Sequence, residues 1–348
     1  MEAVVLAEDR GVGLHPLAAA VPVALVPILG RPLLGRLLTA LHASGVTEAF
    51  VVAGSYANAI ADFLRTHTAP MPVHVVRATA QRGGAGAVAD LLPHLRGPFL
   101  VVEGKALLDL DLDMLETSHR MALAQGTLAT ASVSGRLRHG VVTARGARVE
   151  ALREAPPLLE LAPDTFLDSG CYLLERRALA DVPTHGVVDF ARDVFPRLLE
   201  QGARLAAAPA LRYWRDAATP EAYLEIHLDA LGGDWPWEPL ASMQPDLGPG
   251  AQIVGPVVCG RRVSLGPEAR LVGPAYCADG VVIGPGAHVT RSVLLEGGRI
   301  GAHADISDIV VDAHAVVPAG AAAGGGILGR RRWPARPAQA AATSRATG

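Results

Sequence analysis

Three short segments of this 348-residue chain combine glycine with charged or small residues, and each comes at the end of a predicted strand or the start of a predicted helix. Residues 8–13 follow the apolar run 3–7, whose length and β-branched members are typical of a buried strand. Residues 83–86 open a helix, and residues 104–105 follow a strand predicted over Phe99–Glu103. Backbone N–H groups in glycine loops and at helix N-termini bind phosphate. The pattern therefore indicates a phosphorylated ligand.

The elements that must position these segments alternate along the chain. Between the first strand and Phe99–Glu103, the pattern predicts helices over 32–44, 56–65 and 83–95, and strands over 48–53 and 73–76. Such alternation predicts a parallel sheet with right-handed crossovers. Ligands of these sheets bind at the carboxyl ends of the strands. We therefore expect the three segments to share one site.

Composition excludes several classes of function. A formal net charge of −3 gives no reason to expect nucleic acid or an anionic membrane as the partner. No window of about 18 apolar residues lacks charge and proline, so no transmembrane helix is expected. The N-terminus enters a strand without a basic segment and cleavage site, which predicts a cytoplasmic protein. The three cysteines are too few and too scattered for a disulfide scaffold or a zinc site, and we interpret them as buried packing residues.

A series of motifs runs from residue 1 to about residue 230. The first is carried by Leu14, Pro16, Leu17, Pro22, Leu25, Val26, Pro27, Gly30 and Pro32. Later ones are Gly-Val-Val at 140–142, Glu-Ala-Pro at 154–156, Asp-Ser-Gly-Cys-Tyr at 168–172, Asp-Phe-Ala-Arg-Asp-Val-Phe-Pro at 189–196 and Trp-Arg-Asp at 214–216. In this order they resemble the sugar-nucleotide pyrophosphorylases, which couple a nucleoside triphosphate to a sugar 1-phosphate and release pyrophosphate.

The resemblance implies a fold and a set of site residues. The fold is α/β, a Rossmann-like nucleotidyltransferase domain with a mixed, mainly parallel sheet. The nucleotide would contact Leu6, Ala7, Glu8, Asp9, Arg10, Gly11, Gly13, Gly83, Gly84 and Ala85. The sugar would contact Gly140, Glu154 and Asp168. The family holds Mg²⁺ on two aspartates, whose positions here are Lys105 and Asp216.

The residues that would carry the chemistry depart from the family pattern. The departures are Asp9 for the first loop glycine, Gly13 for the loop arginine, Val23 for a lysine, Lys105 for a metal aspartate and Ala155 for the lysine that meets the sugar phosphate. One remaining carboxylate, Asp216, is a poor octahedral site for Mg²⁺. Asp109 and Asp111 are conceivable substitutes, although the family carries a similar helix start with solvent-facing acids. Arg10 would offset the charge of Asp9 if it turned inward; the other interpretation is a solvated arginine.

Residues 232–244 contain proline and tryptophan and are interpreted as a linker. After this linker the apolar residues recur with a different period. Apolar or cysteine residues recur every six positions, at Leu247, Ile253, Cys259, Leu265, Leu271, Cys277, Ile283, Val289 and Leu295. A six-residue repeat with glycine corners predicts a parallel β-helix, and the resemblance to hexapeptide-repeat proteins implies its left-handed form. The predicted domains are a nucleotidyltransferase-like domain at 1–231, the linker, a β-helix at 245–321 and a disordered tail at 322–348.

Every replaced group is cationic, metal-binding or needed for close phosphate approach, whereas the apolar and turn positions are kept. The leading hypothesis is a catalytically impaired family member that binds a nucleotide or sugar nucleotide and regulates, or assembles with, an active pyrophosphorylase, as the regulatory subunit of GDP-mannose pyrophosphorylase does. The alternative is an active, Mg²⁺-dependent enzyme of polysaccharide precursor synthesis, of the mannose-1-phosphate guanylyltransferase or glucose-1-phosphate thymidylyltransferase type. A third possibility is a purely structural oligomerisation module. The β-helix predicts a homo-oligomer or hetero-oligomer.

Overall fold

The computed structural model describes residues 1–19, 21–78, 82–131, 140–153, 164–233, 236–237 and 241–329. The chain divides into two compact units, Met1–Ile226 and His227–Gly348. Within the described ranges, every helix is too short or too polar to cross a membrane.

The first unit alternates strands and helices as predicted. Its strands are β1 (Glu2–Leu6), β2 (Pro27–Ile28), β3 (Arg31–Pro32), β4 (Glu48–Val52), β5 (Val73–Val76), β6 (Phe99–Glu103), β7 (Ala106–Leu110), β8 (Gly126–Ala131), β9 (Val141–Arg145), β10 (Arg148–Arg153), β11 (Thr165–Leu174), β12 (Leu205–Ala208) and β13 (Leu211–Asp216). The α-helices of the chain are α1 (Leu33–Ala43), α2 (Ala57–Thr66), α3 (Gly83–Leu91), α4 (Leu112–Ala122), α5 (Phe195–Glu200) and α6 (Pro220–Gly232). A π-helical segment, Phe190–Val194, leads directly into α5.

The described strands of this unit form a nine-stranded mixed sheet in the order β5-β4-β1-β6-β11-β8-β12-β10-β9. β1 lies parallel to β4 and β6, whereas β11 is antiparallel to β6. β1 is apolar and buried from residue 3 to residue 6, as expected for a strand whose sheet is covered on both faces. Val5 packs with Leu37 of α1 on one face, and Val4 packs with Val88 of α3 on the other. The predicted mixed sheet is confirmed, but it is not mainly parallel: β5, β4, β1 and β6 pair parallel, as do β8 and β12, whereas the other described pairings are antiparallel.

One ribbon of this unit was not predicted. β7 pairs antiparallel with β13, which places Ala106 opposite Asp216. Asp109 therefore belongs to a strand and not to the start of a helix. Asp111 is the N-cap of α4, and its side chain accepts a hydrogen bond of 3.0 Å from the Met114 N–H. This ribbon carries Asp216 to the end of β6.

The second unit is a left-handed parallel β-helix, as predicted. Its described strands form three five-stranded parallel sheets. They are β14 (Asp246–Leu247), β15 (Gln252–Val254), β16 (Val257–Cys259), β17 (Ser264–Leu265), β18 (Arg270–Val272), β19 (Ala275–Cys277), β20 (Val282–Ile283), β21 (His288–Thr290), β22 (Val293–Leu294), β23 (Arg299–Ile300), β24 (Asp305–Ser307), β25 (Val310–Val311), β26 (Val316–Val317), β27 (Ala322–Gly324) and β28 (Ile327–Leu328). Inward residues stack in ladders, so each coil covers the apolar face of its neighbour.

Two details of the β-helix differ from the prediction. Cys259 pairs with Cys277 after eighteen positions, but Cys277 pairs with Leu294 after seventeen, so the ladder position is Leu294 and not Leu295. Leu295 is buried as well, but only Leu294 belongs to the apolar core of the β-helix. β27 and β28 continue the sheets beyond residue 321, where a disordered tail was predicted. Residues 330–348, and parts of the predicted linker, lie outside the described residues.

Candidate functional site

The carboxyl ends of β1 and β6 lie side by side and set the positions of two charged residues. Leu6 of β1 is in register with Glu103 of β6. The Gly104 N–H donates a hydrogen bond of 2.8 Å to the Leu6 carbonyl. Asp9 follows β1 and Lys105 follows β6, so both come to the same edge of the sheet. This is the edge at which the sequence predicted a site.

The Lys105 ammonium lies between two carboxylates. Its Nζ is 3.4 Å from Asp9 Oδ2 and 3.9 Å from Asp216 Oδ2. Asp216 is buried, with 8% of its side chain exposed, whereas Asp9 and Lys105 are partly exposed. We call Asp9, Glu103, Lys105 and Asp216 the ion-pair cluster. It contains the two residues at the family's metal positions, and the structure places their charged groups in contact.

Burial and proximity set the charge state of this cluster. Burial lowers the pKa of Lys105, but the three carboxylates of the cluster outweigh that effect and raise it above its ordinary value. Lysine is therefore protonated at neutral pH. Burial raises the pKa of Glu103 to about 7, an effect that Lys105 opposes and that nearby carboxylates strengthen. The cluster thus contains a permanent cation held among acidic side chains.

Gly170 of β11 makes room for the Glu103 side chain. Its φ of +69° lies in the left-handed region, and a Cβ at this position would lie 2.5 Å from Glu103 Cγ. Glycine is therefore required here both by backbone conformation and by close approach. The Asp-Ser-Gly motif at 168–170 has a structural role in the cluster that its sequence did not reveal.

The loop after β1 packs closely against itself and against the segment that follows it in the chain. Asp9 Oδ1 accepts a hydrogen bond of 2.8 Å from the Gly11 N–H, so one N–H predicted to face phosphate already has a partner. A Cβ on Gly11 would lie 2.7 Å from Cγ2 of Val23, which is fully buried at the family's lysine position. Arg10 is exposed. The cation that faces Asp9 is therefore Lys105, and the idea of an inward Arg10 is wrong.

The start of α3 lies next to the end of β1, as expected. A Cβ on Gly84 would be 3.0 Å from Leu6 Cδ1. Gly83 has a φ of +72° and lies against the carbonyl of Val188. That carbonyl accepts a hydrogen bond of 3.1 Å from the Ala85 N–H. The structure brings these predicted nucleotide contacts together, with part of the helix N-terminus already bonded to protein.

Ala7 and Glu8 follow directly after β1 and lie beside the end of β4. The Ala7 N–H donates to the Val52 carbonyl over 2.8 Å. Glu8 Oε1 would lie 3.2 Å from a Cβ on Gly54, so this carboxylate sits against the loop after β4. Burial raises the pKa of Glu8. The predicted nucleotide side of the site therefore holds a half-buried acid as well as backbone.

The predicted sugar residues line a separate cavity of about 290 Å³. Its walls are Gly140, Val141, Leu152, Arg153, Asp168, Ala191, Arg192 and Pro196. Two predicted sugar contacts meet here, and the Asp168 N–H donates to the Gly140 carbonyl over 2.9 Å. The third, Glu154, lies outside the described residues. Asp168 in turn contributes to the electrostatics of Glu103, which connects the cavity to the ion-pair cluster.

The Asp168 carboxylate is held by two donors. Burial raises its pKa, while a hydrogen bond of 3.1 Å from the Gly170 N–H and bonds from the Tyr172 hydroxyl act in the opposite direction. The Tyr172 hydroxyl donates to this carboxylate, with distances of 2.9 and 3.0 Å to its two oxygens. The orientation of Asp168 is thus fixed before any ligand binds.

Sequence reasoning missed the two arginines of this cavity. Arg153 is the last residue of β10 and directly precedes the Glu-Ala-Pro motif, a signal that was available. Arg192 lies in the π-helical segment, whose first turn is capped by the Asp189 side chain. No periodicity in the sequence identifies a π-helix, so the position of Arg192 could not be predicted.

The donor set does not fit the Mg²⁺ that the family uses. Octahedral Mg²⁺ requires several oxygen ligands at about 2.0–2.1 Å, but Lys105 approaches both Asp9 and Asp216. Asp109 and Asp111 lie 3.3 and 2.8 Å from the Arg212 guanidinium and do not replace the missing aspartate. Across the described parts of the chain, no group of three or more His, Cys, Asp or Glu side chains is arranged to hold a metal ion.

Comparisons with known proteins agree with this architecture. The family model described as nucleotidyl transferase matches residues 2–232, and the GlmU-like C-terminal hexapeptide model matches residues 269–327. A mannose-1-phosphate guanylyltransferase of Mycobacterium tuberculosis is 31% identical over 75% of this chain and 75% of its own length. A putative mannose-1-phosphate guanyltransferase of Sulfolobus acidocaldarius is 25% identical over 68% and 65%. HddC from Yersinia pseudotuberculosis, at 23% identity, superimposes with a TM-score of 0.55 over 65% of this chain and 97% of HddC, which supports the fold.

Fold and site together define a nucleotidyltransferase domain followed by a hexapeptide-repeat β-helix. The chain belongs to the nucleotidyl transferase family, and within it to the sugar-1-phosphate nucleotidyltransferases.

The fit of Glu103 against Gly170 yields a stability prediction. Gly170→Ala should lower the free energy of unfolding by about 2–4 kcal/mol, because left-handed strain adds to a clash with the Glu103 side chain. Gly146→Ala is the matched control, since Gly146 has a φ of +60° with nothing within 4 Å of its Cβ position. The control should lose only about 1 kcal/mol. Chemical denaturation measures both, and equal losses would show that Glu103 does not require the glycine.

Proposed function

We propose that this chain binds a sugar nucleotide without catalysing metal-dependent nucleotidyl transfer, and that it regulates or assembles with an active nucleotidyltransferase. The observation that carries this proposal is the Lys105 ammonium, 3.4 Å from Asp9 and 3.9 Å from Asp216. A protein cation takes the place that the family gives to a metal ion. The site therefore retains positive charge toward phosphate but lacks a Lewis acid.

Nucleotidyl transfer makes demands that this site meets poorly. Two anions must approach each other, and charge builds on the leaving pyrophosphate, so the family uses a divalent ion with Arg and Lys side chains. A unit charge repels another by about 4 kcal/mol at 4 Å and an effective dielectric of 20. Lys105 would repel a divalent ion at that distance by about twice as much. An ammonium is also a point charge that cannot orient several phosphate oxygens as an octahedral ion does.

The substitutions at positions 9 and 105 place opposite charges next to each other. Relative to the family pattern, Asp9 adds a carboxylate to the loop and Lys105 removes one from the end of β6. Their side chains meet at 3.4 Å. Without Lys105, Asp9 would leave a carboxylate facing an incoming phosphate. Asp9 and Lys105 form a pair without net charge, one unit more positive than the Gly and Asp of the family pattern, which favours a retained site for an anion over random loss of function.

The loop geometry supports loss of the remaining catalytic cations. A Cβ on Gly13, at the family's arginine position, would lie 2.5 Å from the Ala218 carbonyl oxygen. Val23, at the lysine position, is buried against the loop. Longer cationic side chains at either place would require the loop to move. The observed packing therefore leaves no space for cationic side chains at these two positions.

The comparisons suggest which nucleotide to test first. The relatives from M. tuberculosis and S. acidocaldarius are named as mannose-1-phosphate guanylyl- or guanyltransferases. HddC from Y. pseudotuberculosis has a crystal structure in complex with GMP-PN. A guanine nucleotide such as GDP or GDP-mannose is therefore the preferred ligand for this chain, with polysaccharide precursor synthesis as the setting.

The β-helix is the preferred surface for assembly. Leu247, Val254 and Val316 are large apolar residues that it leaves exposed. Leu247 and Val316 lie on the two edge strands, β14 and β26, of one sheet, and each end of a solenoid presents an unstacked coil that can pair with another protein. The partner would be a second copy of this chain or an active pyrophosphorylase.

The proposal is tested by measuring turnover and binding on the same protein. Wild-type protein is incubated with GTP, mannose 1-phosphate and Mg²⁺, and pyrophosphate release is followed, with the M. tuberculosis relative as positive control. We expect GDP-mannose to bind by calorimetry while turnover stays far below the usual range of roughly 1–1,000 per second. Turnover within that range would establish the active-enzyme alternative, in which Lys105 supplies charge that a metal normally supplies.

The substitutions at positions 9 and 105 yield a separate prediction about metal binding. The double change Asp9→Gly with Lys105→Asp removes the internal cation and restores the family's carboxylate, so it should create a metal site with Asp216. Free Mn²⁺, followed by electron paramagnetic resonance with GDP present, should bind at least tenfold more tightly to this variant than to wild type. Arg10→Gln is the control, because it removes an exposed neighbouring cation outside the cluster. Tight Mn²⁺ binding by the wild type would contradict the exclusion of metal by Lys105.

A further inference from the structure

Two cysteines occupy the same inward ladder of the β-helix in adjacent coils. Cys259 of β16 is in register with Cys277 of β19, and the two strands pair parallel. Both thiols are free and buried, and both belong to the apolar core of the β-helix. The next two coils place Leu294 and Val311 in this ladder. The repeat requires only an apolar side chain at this position, so core packing does not by itself require two stacked thiols.

We propose that Cys259 and Cys277 are a redox-active pair that forms an intrachain disulfide when a peroxide is present. The bridge would join the two outermost coils at the N-terminal end of the β-helix, namely the first coil (β14–β16) and the second coil (β17–β19). It would hold the first coil in place, whereas the reduced form would leave this coil free to open. The proposal concerns a modification of the second unit and does not depend on the proposed function.

The strand pairing brings the two residues within bonding range. Paired strands lie about 4.7–4.9 Å apart, which falls inside the usual Cα separation of about 4.4–6.8 Å for a disulfide. Inward side chains in register point the same way, so their Cβ atoms lie at nearly the strand spacing, slightly beyond the usual range of about 3.5–4.5 Å. The bridge therefore needs a small movement of the backbone. The strain that remains makes it easier to reduce than a structural disulfide, which favours a reversible bridge.

The contact between the two thiols assigns a role to each. The Cys277 thiol donates a hydrogen bond to the Cys259 sulfur, which lowers the pKa of Cys259, although burial acts in the opposite direction. The same hydrogen bond, together with burial, raises the pKa of Cys277. Cys259 therefore loses its proton more readily and is the nucleophile, because the thiolate is the form that reacts with an oxidant. Cys277 is the resolving thiol.

The reaction balances as a two-electron oxidation by hydrogen peroxide. The Cys259 sulfur attacks one peroxide oxygen, the O–O bond breaks, and the other oxygen leaves as hydroxide, which takes the thiol proton and becomes water. The Cys277 sulfur then attacks the sulfenic acid on Cys259; the S–S bond forms, the S–O bond breaks, and a second water carries away the remaining proton. Two thiols are thus oxidised to one disulfide while one peroxide is reduced to two waters. A dithiol reductant reverses the bridge by thiol–disulfide exchange.

The position of the pair at the end of the β-helix gives the oxidant access. β14, β15 and β16 are edge strands of their sheets, so no described strand covers the first coil. Leu247, in register with the core residue Leu265, is 47% exposed. The Cys259 N–H donates to Ser242 Oγ over 3.1 Å, and the Met243 N–H donates to the Cys259 carbonyl over 2.7 Å. Release of this short segment and opening of a terminal repeat, which contacts a single neighbour, would expose the thiol.

The test is a thiol analysis of the full chain before and after oxidation. Reduced protein is exposed to hydrogen peroxide, its remaining thiols are alkylated under denaturing conditions, and its peptides are mapped by mass spectrometry. We expect the peptides that contain Cys259 and Cys277 to be joined and lighter by two hydrogens. Cys171 should remain a free thiol, because burial raises its pKa to about 12 and Val102 lies in register with it. Dithiothreitol should restore all three thiols.

Hydrogen exchange measures what the bridge does to the first coil. Oxidation should slow amide exchange at least tenfold in peptides that cover residues 246–259. Peptides that cover residues 316–328, at the opposite end of the β-helix, are the internal control and should change less than twofold. Cys259→Ala and Cys277→Ala should each abolish the effect of peroxide. Cys171→Ala is the matched control, because it also removes one buried thiol, and it should leave the effect intact.

Several results would overturn the inference. They are three free thiols after peroxide treatment, oxidation of Cys259 to sulfinic or sulfonic acid without a bridge, and a bridge between two chains instead of within one. A bridge that forms without slowing exchange in the first coil would contradict its role in holding that coil. The thiol analysis uses the wild-type chain, so it does not depend on the folding of any variant. Turnover of sugar 1-phosphate would refute the proposed function and leave this test unaffected.

Discussion

The interaction on which the rest of the site depends is the contact of one ammonium with two carboxylates. Lys105 lies between Asp9 and Asp216 at 3.4 and 3.9 Å, and the carboxylates hold its pKa above the ordinary value in spite of burial. A fixed cation at the end of β6 attracts phosphate and repels a divalent ion. Both parts of the proposed function, nucleotide binding and the absence of metal-assisted transfer, rest on this single arrangement.

The fold supplies this arrangement through long-range pairing. Parallel pairing of β1 with β6 aligns Asp9 with Lys105, and the β7–β13 ribbon delivers Asp216 to the same edge. Gly170 of β11 leaves space for Glu103, whose carboxyl group burial holds near a pKa of 7. Charges that would be costly to bury singly are tolerated because they are paired. The same sheet, through β10 and β11, forms the cavity in which Arg153 and Asp168 lie.

The parts of the structure that could be predicted depend on local patterns. Buried strands such as Phe99–Glu103 and the hexapeptide ladder are encoded by apolar spacing, and the structure has them. The contact of Lys105 with Asp9 was not predicted, because it depends on side-chain packing between segments far apart in sequence; Arg10, the nearest cation in the sequence, was considered instead. Leu294 and Leu295 fit an inward position equally well, so the sequence could not show that the repeat shortens by one residue before Leu294. Arg192 depends on a π-helix, which has no signal of its own.

The account is tested most directly by the effect of a chelator on nucleotide affinity. Calorimetric titration of wild-type protein with GDP is carried out in Mg²⁺ and again in EDTA. If Lys105 serves as the cation of the site, the two dissociation constants should agree within about twofold, less than about 0.5 kcal/mol. A loss of affinity of tenfold or more on chelation, about 1.4 kcal/mol, would show that a metal ion still carries the phosphate and would contradict the account.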